Sequence, residues 1–133
     1  MEAVKPINPR GEQITRTLAM PSDTNANGDI FGGWIMSQLD LAGGILAKEI
    51  SRGRIVTVSV SDITFKKPVR VGDVVCCYGE CSKIGRTSMS IDLEVWVKSV
   101  NENGVGDRFK VCEATFNYVA IDSEGRPRPV KPA

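Results

Sequence analysis

NANGDIFGGWIMSQLDLAGGILAKEI, residues 25–50, is the stretch on which the fold turns. Between Ile30 and Ala47 the only ionisable side chain is Asp40. The stretch opens with a Gly-rich turn, Gly28 to Gly33. Trp34, Ile35, Leu39, Ala42, Ile45, Leu46 and Ala47 then recur at helical spacing and cover most of the circumference. A helix apolar on nearly every side belongs in a core rather than on a surface. Ser37, Gln38, Asp40 and paired glycines interrupt it, so it does not read as a membrane span. The spacing predicts a helix from near Gly33 to Ile50–Arg52, with Gly53 as the stop signal. A carboxylate therefore stands about two turns into a core helix. Burying such a group is costly, so it has either a partner or a task.

On the N-terminal side, Pro21 to Gly33 is a long loop rich in Ser, Asp, Asn and Gly, a type often tied to function. Before it, Gln13 to Met20 alternates as a first strand, and Met1 to Glu12 reads as a flexible arm. After the helix the period changes to that of strands. Arg54–Lys67 is β-branched, Pro68–Gly72 turns the chain, and Asp73–Lys83 is a further strand. In Thr87–Val100, Met89, Ile91, Leu93, Val95 and Val97 point one way, with Ser90, Asp92, Glu94, Trp96 and Lys98 opposite. Asn101–Asp107 is a turn, Arg108–Ile121 a last long strand, and Asp122–Ala133, with three prolines, a tail. The expectation is an α+β domain spanning residues 13–121. One helix packs on an antiparallel meander of the four strands that follow it, in two layers. The outer face and edge of such a sheet need cover, which points to a homo-oligomer with Trp96 as a candidate interface residue.

The chain has 133 residues, 41% hydrophobic and 25% charged, enough for one domain with its own core. A net charge of +1 and 6% aromatics argue against a nucleic-acid or membrane-surface footprint. The N-terminal residues hold no apolar targeting core, which suggests the cytoplasm. The absence of histidine is the most restrictive fact. It removes Ser-His-Asp and Cys-His nucleophile systems, and leaves acid–base chemistry to Asp, Glu, Lys, Tyr or Cys. Cys76, Cys77, Cys81 and Cys112 form no C-x-x-C pair and read as small buried hydrophobes rather than a zinc site.

A strand, a buried helix and four more strands resemble the hotdog fold, in which an antiparallel sheet wraps around one long central helix. AMPSDTNANGDIFGGWIMSQLDLAGGILAKEI (Ala19–Ile50), with GRIVTVSV, VGDVVCCYG and EVWVKSV after it, resembles the bacterial YciA-type acyl-CoA thioesterases. The likeness runs from about Thr15 to Tyr118. Its most specific part is N-x-x-G-x-x-F-G-G-W followed by an Asp six residues after Trp34. The resemblance implies hydrolysis of short- to medium-chain acyl-CoA thioesters to free acid and coenzyme A. It also implies no metal and no cofactor beyond the substrate's own CoA. It implies a hotdog dimer with two interfacial sites, commonly assembled as a trimer of dimers. By position it assigns the catalytic carboxylate to Asp40, the motif asparagine to Asn25 and the helix-start glycines to Gly32 and Gly33. In the family the asparagine comes from the subunit opposite the one supplying the carboxylate.

The residues fit that chemistry. Asp40 serves as general base toward water or as a nucleophile through a mixed anhydride, and the sequence leaves both open. The helix start offers free N–H groups to a carbonyl oxygen gaining charge, and Gly32 and Gly33 allow close approach. The Asn25 amide suits orientation of water or carbonyl. Arg54, the pair Lys66-Lys67 and Arg86, with Thr87 and Ser88 beside Arg86, are candidate contacts for CoA and its phosphates. By position in the family, the resemblance makes Thr57 and Val58 candidates for lining the pantetheine channel. The competing reading is a non-catalytic acyl-CoA-binding regulator or scaffold, which has no need of a carboxylate and an asparagine beside the helix start. A hotdog dehydratase is set aside because those enzymes pair a carboxylate with a histidine.

Overall fold

The computed structural model describes residues 8–131. Most of the arm read at the N-terminus (1–7) and the end of the tail (132–133) lie outside them. The elements are β1 (Glu12–Leu18), a single 3-10 turn (Pro21–Asp23), α1 (Gly32–Ser51), β2 (Ile55–Phe65), β3 (Val74–Ile84), β4 (Ser88–Asn101) and β5 (Gly104–Ala120). The five strands form one antiparallel sheet in the order β1-β3-β4-β5-β2. α1 packs against every strand, as the hotdog resemblance implies.

The core follows the two periodicities. Ile35, Leu39, Ala42, Leu46 and Ala47 are buried on one side of α1. They meet Met89, Ile91, Leu93, Val95 and Val97, every second residue of β4, and Ala114, Phe116, Tyr118 and Ala120 of β5. The helix is not enclosed all round, however. Leu41 and Ile45, at i, i+4 spacing, are 55% and 39% exposed. They form an open apolar stripe beside the edge strand β2, where Val56 and Val58 are also exposed.

Four expectations need correction. The meander holds only for β3-β4-β5. β2 crosses to the far edge and pairs with β5, where Ile55, Val60 and Ile63 reach the core. The turn read at Asn101–Asp107 is a hairpin closed by residues 102 and 103, because β5 begins at Gly104. Trp96 is not left for a partner. It is 2% exposed, packs with Cys76 and Tyr78, and donates its indole N–H to Glu94 Oε1 at 2.9 Å. The last residues of the N-terminal arm are held to the sheet. Arg10 bridges Glu80 and Asp92 at 3.0 and 3.2 Å, and Glu12 opens β1.

The tail is also tied down as far as it is described. Val130 is buried and its N–H bonds to the Arg86 carbonyl. Arg128 donates to the carbonyls of Ile121 (3.0 Å) and Ser51 (3.1 Å), placing a cation at the C-terminus of α1. The helix ends at Ser51, two residues before Gly53, with Arg52 as its cap in the left-handed region (φ 57°). Gly53 instead makes room for Arg128, since a Cβ there would lie 2.4 Å from Nη2. Arg128→Ala is expected to lower stability by about 1 kcal/mol, measured by chemical denaturation. An unchanged midpoint would mean that water replaces these bonds without cost.

Candidate active site

Asp40 follows Leu39 on α1, so its side chain leaves the helix at the border between core and open stripe. It is partly exposed rather than sealed in apolar surroundings. Its Oδ1 accepts hydrogen bonds from Thr57 Oγ1 at 2.6 Å and from the Tyr118 hydroxyl at 3.1 Å. These groups, with Leu41, Ile45 and Lys48, line a cavity of about 300 Å³. Burial, then the Asp40 charge and its hydrogen bond, push the Tyr118 phenol far above its ordinary pKa. It therefore stays protonated and remains a donor.

The start of α1 is a separate feature. Phe31 is the N-cap, in extended conformation and without a side-chain cap. The N–H groups of Trp34 and Ile35 bond back to its carbonyl. Those of Gly32 and Gly33 have no partner among the described residues. Neither glycine has positive φ, unlike Gly28 at 82°. A Cβ at either would meet only a phenylalanine ring at 3.4 Å, an ordinary contact. The turn itself therefore does not require glycine at these two positions. Gly32 opens onto a cavity of about 350 Å³ with Ile30, Ile35, Phe65, Lys66 and Lys67.

The sequence candidates do not converge within one chain. Gly33 and Asp40 are seven residues apart, about 10 Å along the helix. Asn25 is exposed in the preceding loop, where its Oδ1 accepts the N–H groups of Asn27 (2.9 Å) and Asp29 (3.2 Å). Lys66 borders the helix-start cavity and pairs with Glu113 at 3.6 Å. Arg54 and the turn holding Arg86, Thr87 and Ser88 lie at the other end of β2 from Lys66, the end at which Thr57 and Tyr118 meet Asp40. There the backbone carbonyls of Arg54, Arg86 and Thr87 accept from Ile121, Val130 and Ala120. The eleven residues of β2 separate the two ends by about 35 Å. Thr57 is more than a channel wall, because it bonds Asp40 directly. Val58, at a register shift in β2, is 55% exposed and does not line the Asp40 cavity. Tyr118 escaped the sequence reading. Strand alternation turns it inward, but nothing local ties it to a helix 78 residues away. Among the described residues no group of three or more Cys, Asp or Glu is placed to hold a metal ion. No helix among them is long and apolar enough to cross a membrane.

Residues 27–102 match the family model described as the thioesterase superfamily. The chain is 63% identical over 122 residues to the acyl-CoA thioester hydrolase YciA of Salmonella typhimurium, covering 92% of each chain. Among solved structures it is similar to HI0827, a hexameric broad specificity acyl-coenzyme A thioesterase. The TM-score is 0.89 and the identity 58%, over 95% of this chain and 85% of that one. It is also similar to Cj0915, a hexameric hotdog fold thioesterase of Campylobacter jejuni. There the TM-score is 0.86 and the identity 43%, over 91% of each chain.

Proposed function

Because the chain belongs to the YciA-type acyl-CoA thioester hydrolases of the thioesterase superfamily, we propose that it hydrolyses acyl-CoA thioesters to free acid and coenzyme A. The observation that carries this reading is a carboxylate set between apolar residues of α1 and held at a cavity by two hydroxyls. Asp40 deprotonates the attacking water or attacks the thioester carbon itself. In the first case water adds to the carbonyl and CoA leaves as the thiol. In the second a mixed anhydride forms as the C–S bond breaks and CoA leaves as its thiolate, and water then cleaves the anhydride to release the acid and restore the Asp40 carboxylate. The Gly32 and Gly33 N–H groups stabilise the carbonyl oxygen as it gains charge, a contribution of about 3–4 kcal/mol for one such donor.

Since Asp40 and its own helix start lie about 10 Å apart, one thioester needs the helix start of a second copy. The open stripe of Leu41 and Ile45 beside the unpaired edge of β2 is the surface we assign to that dimer. Asn25 of the second copy then orients water or carbonyl. The dimers assemble as a hexamer, a trimer of dimers, in keeping with the hexameric relatives. Lys66, at the helix-start cavity, is the favoured contact for the CoA phosphates. Arg54, Arg86, Thr87 and Ser88 stand at the Asp40 end of β2, so they act on the same molecule when contributed, like Asp40, by the subunit opposite the one supplying Lys66. No cofactor beyond the substrate's CoA enters this scheme. The cytoplasm, where four free thiols persist, is the proposed location.

The test is release of free CoA thiol from acyl-CoAs of increasing chain length, with the oligomer mass measured by light scattering. Turnover favouring short and medium chains, by a species of six chains, is the expected result. Binding without turnover on any acyl-CoA would move the protein to the regulator or scaffold reading.

A further inference from the structure

Thr57 and Tyr118 are directly paired residues of β2 and β5. Both hydroxyls end on the same atom, Oδ1 of Asp40, at 2.6 and 3.1 Å. The register of β2 shifts just after Thr57, between Thr57 and Ser59, and a bulge of this kind re-aims its neighbours. Tyr118 reaches the carboxylate through a gap left by Gly43, one turn along α1 from Asp40. A Cβ on Gly43 would lie 2.3 Å from the phenol oxygen and 2.9 Å from Leu93 Cδ1. The tyrosine is 0% exposed and has nowhere else to go. Oδ2 of Asp40, by contrast, has no hydrogen-bond or ion-pair partner among the described residues.

We infer that Thr57 and Tyr118 are positioning residues that grip Oδ1 and thereby present Oδ2 as the oxygen that acts on water or on the thioester. The carboxylate torsion of a free aspartate is broad. Two O–H donors on one oxygen, one at the short distance of a charge-assisted bond, narrow it to a single orientation. Thr57 holds the stronger grip. The Tyr118 proton is shared between Oδ1 and the Asp40 carbonyl, both at 3.1 Å. The inference rests on the proposed role of Asp40 and adds which of its oxygens reacts and what holds it.

Thr57→Val, Thr57→Ser and Tyr118→Phe, assayed for kcat and KM separately, test it. Misorienting a reacting group costs up to roughly 100-fold in rate. Thr57→Val is therefore expected to lower kcat by about 10- to 100-fold with KM little changed. Thr57→Ser, which keeps the hydroxyl, should restore most of the loss. Tyr118→Phe should lower kcat by a smaller factor, about 3- to 10-fold, again without moving KM. A loss confined to KM would make Thr57 a substrate contact instead. A serine variant as impaired as the valine one would make its role packing. Either result, or a valine variant as active as wild type, overturns the inference while the thioesterase reading stands. Wild type without turnover removes both.

Discussion

Asp40→Asn is expected to leave the fold standing and to lower kcat by about 10²- to 10⁴-fold, the range for removing a general base or acid. Two features argue that the loss would be chemical. Asp40 is partly exposed and makes no ion pair among the described residues, so the neutral amide strands no buried charge. The amide oxygen of asparagine can still accept from Thr57 and Tyr118, so the side chain keeps its place. What disappears is a charged oxygen facing the cavity. An amide can neither take a proton from water near neutral pH nor form an anhydride. The measurement is thiol release by the variant beside wild type, with thermal unfolding and oligomer mass as controls. A variant of wild-type mass and melting temperature that still turns over at more than a tenth of the wild-type rate would sink the assignment of Asp40.

Gly43→Ala is expected to destabilise the protein by about 1–3 kcal/mol, although alanine is the better helix former. The usual gain is overruled by space. The new methyl would stand 2.3 Å from the Tyr118 hydroxyl and 2.9 Å from Leu93 Cδ1. Both neighbours are buried, Leu93 at 1% and Tyr118 at 0% exposure, so neither can swing aside. The next residue gives the contrast. A methyl on Gly44 would meet only Ile55 Cδ1, at 3.7 Å. Gly44→Ala should therefore be neutral or more stable, by up to about 1 kcal/mol. Denaturant midpoints of the two variants should move in opposite directions. Adding Tyr118→Phe to Gly43→Ala removes the nearest clash and should recover part of the loss. Activity of the Gly43 variant is expected to fall as well, because the methyl displaces the tyrosine from Asp40.

What the sequence by itself determined is what depends on neighbours within a few turns. α1 was legible because its apolar residues repeat at helical spacing with a single carboxylate among them. β4 was legible because Met89, Ile91, Leu93, Val95 and Val97 alternate with Ser90, Asp92, Glu94 and Lys98, with only Trp96 departing from the polar side. Asp40 stood out because an ionisable group is conspicuous in such a helix. The specific motif from Asn25 to Trp34, with Asp40 after it, carried the family.

Only the tertiary structure decided the rest, because those features depend on pairings between distant segments. β2 pairs with β5 rather than with β3, a choice set by which edge lets Ile55, Val60 and Ile63 reach the core. Trp96 looked like a residue waiting for a partner until Glu94 and the Cys76–Tyr78 cluster closed over it. The tail gained order because Arg128 found the open carbonyls at the end of α1. Tyr118 entered the site because strand register placed it opposite Thr57 and Gly43 left it room. Local periodicity reports which side of an element is apolar. Which residue stands across from it is set by packing, and packing is a property of the folded chain.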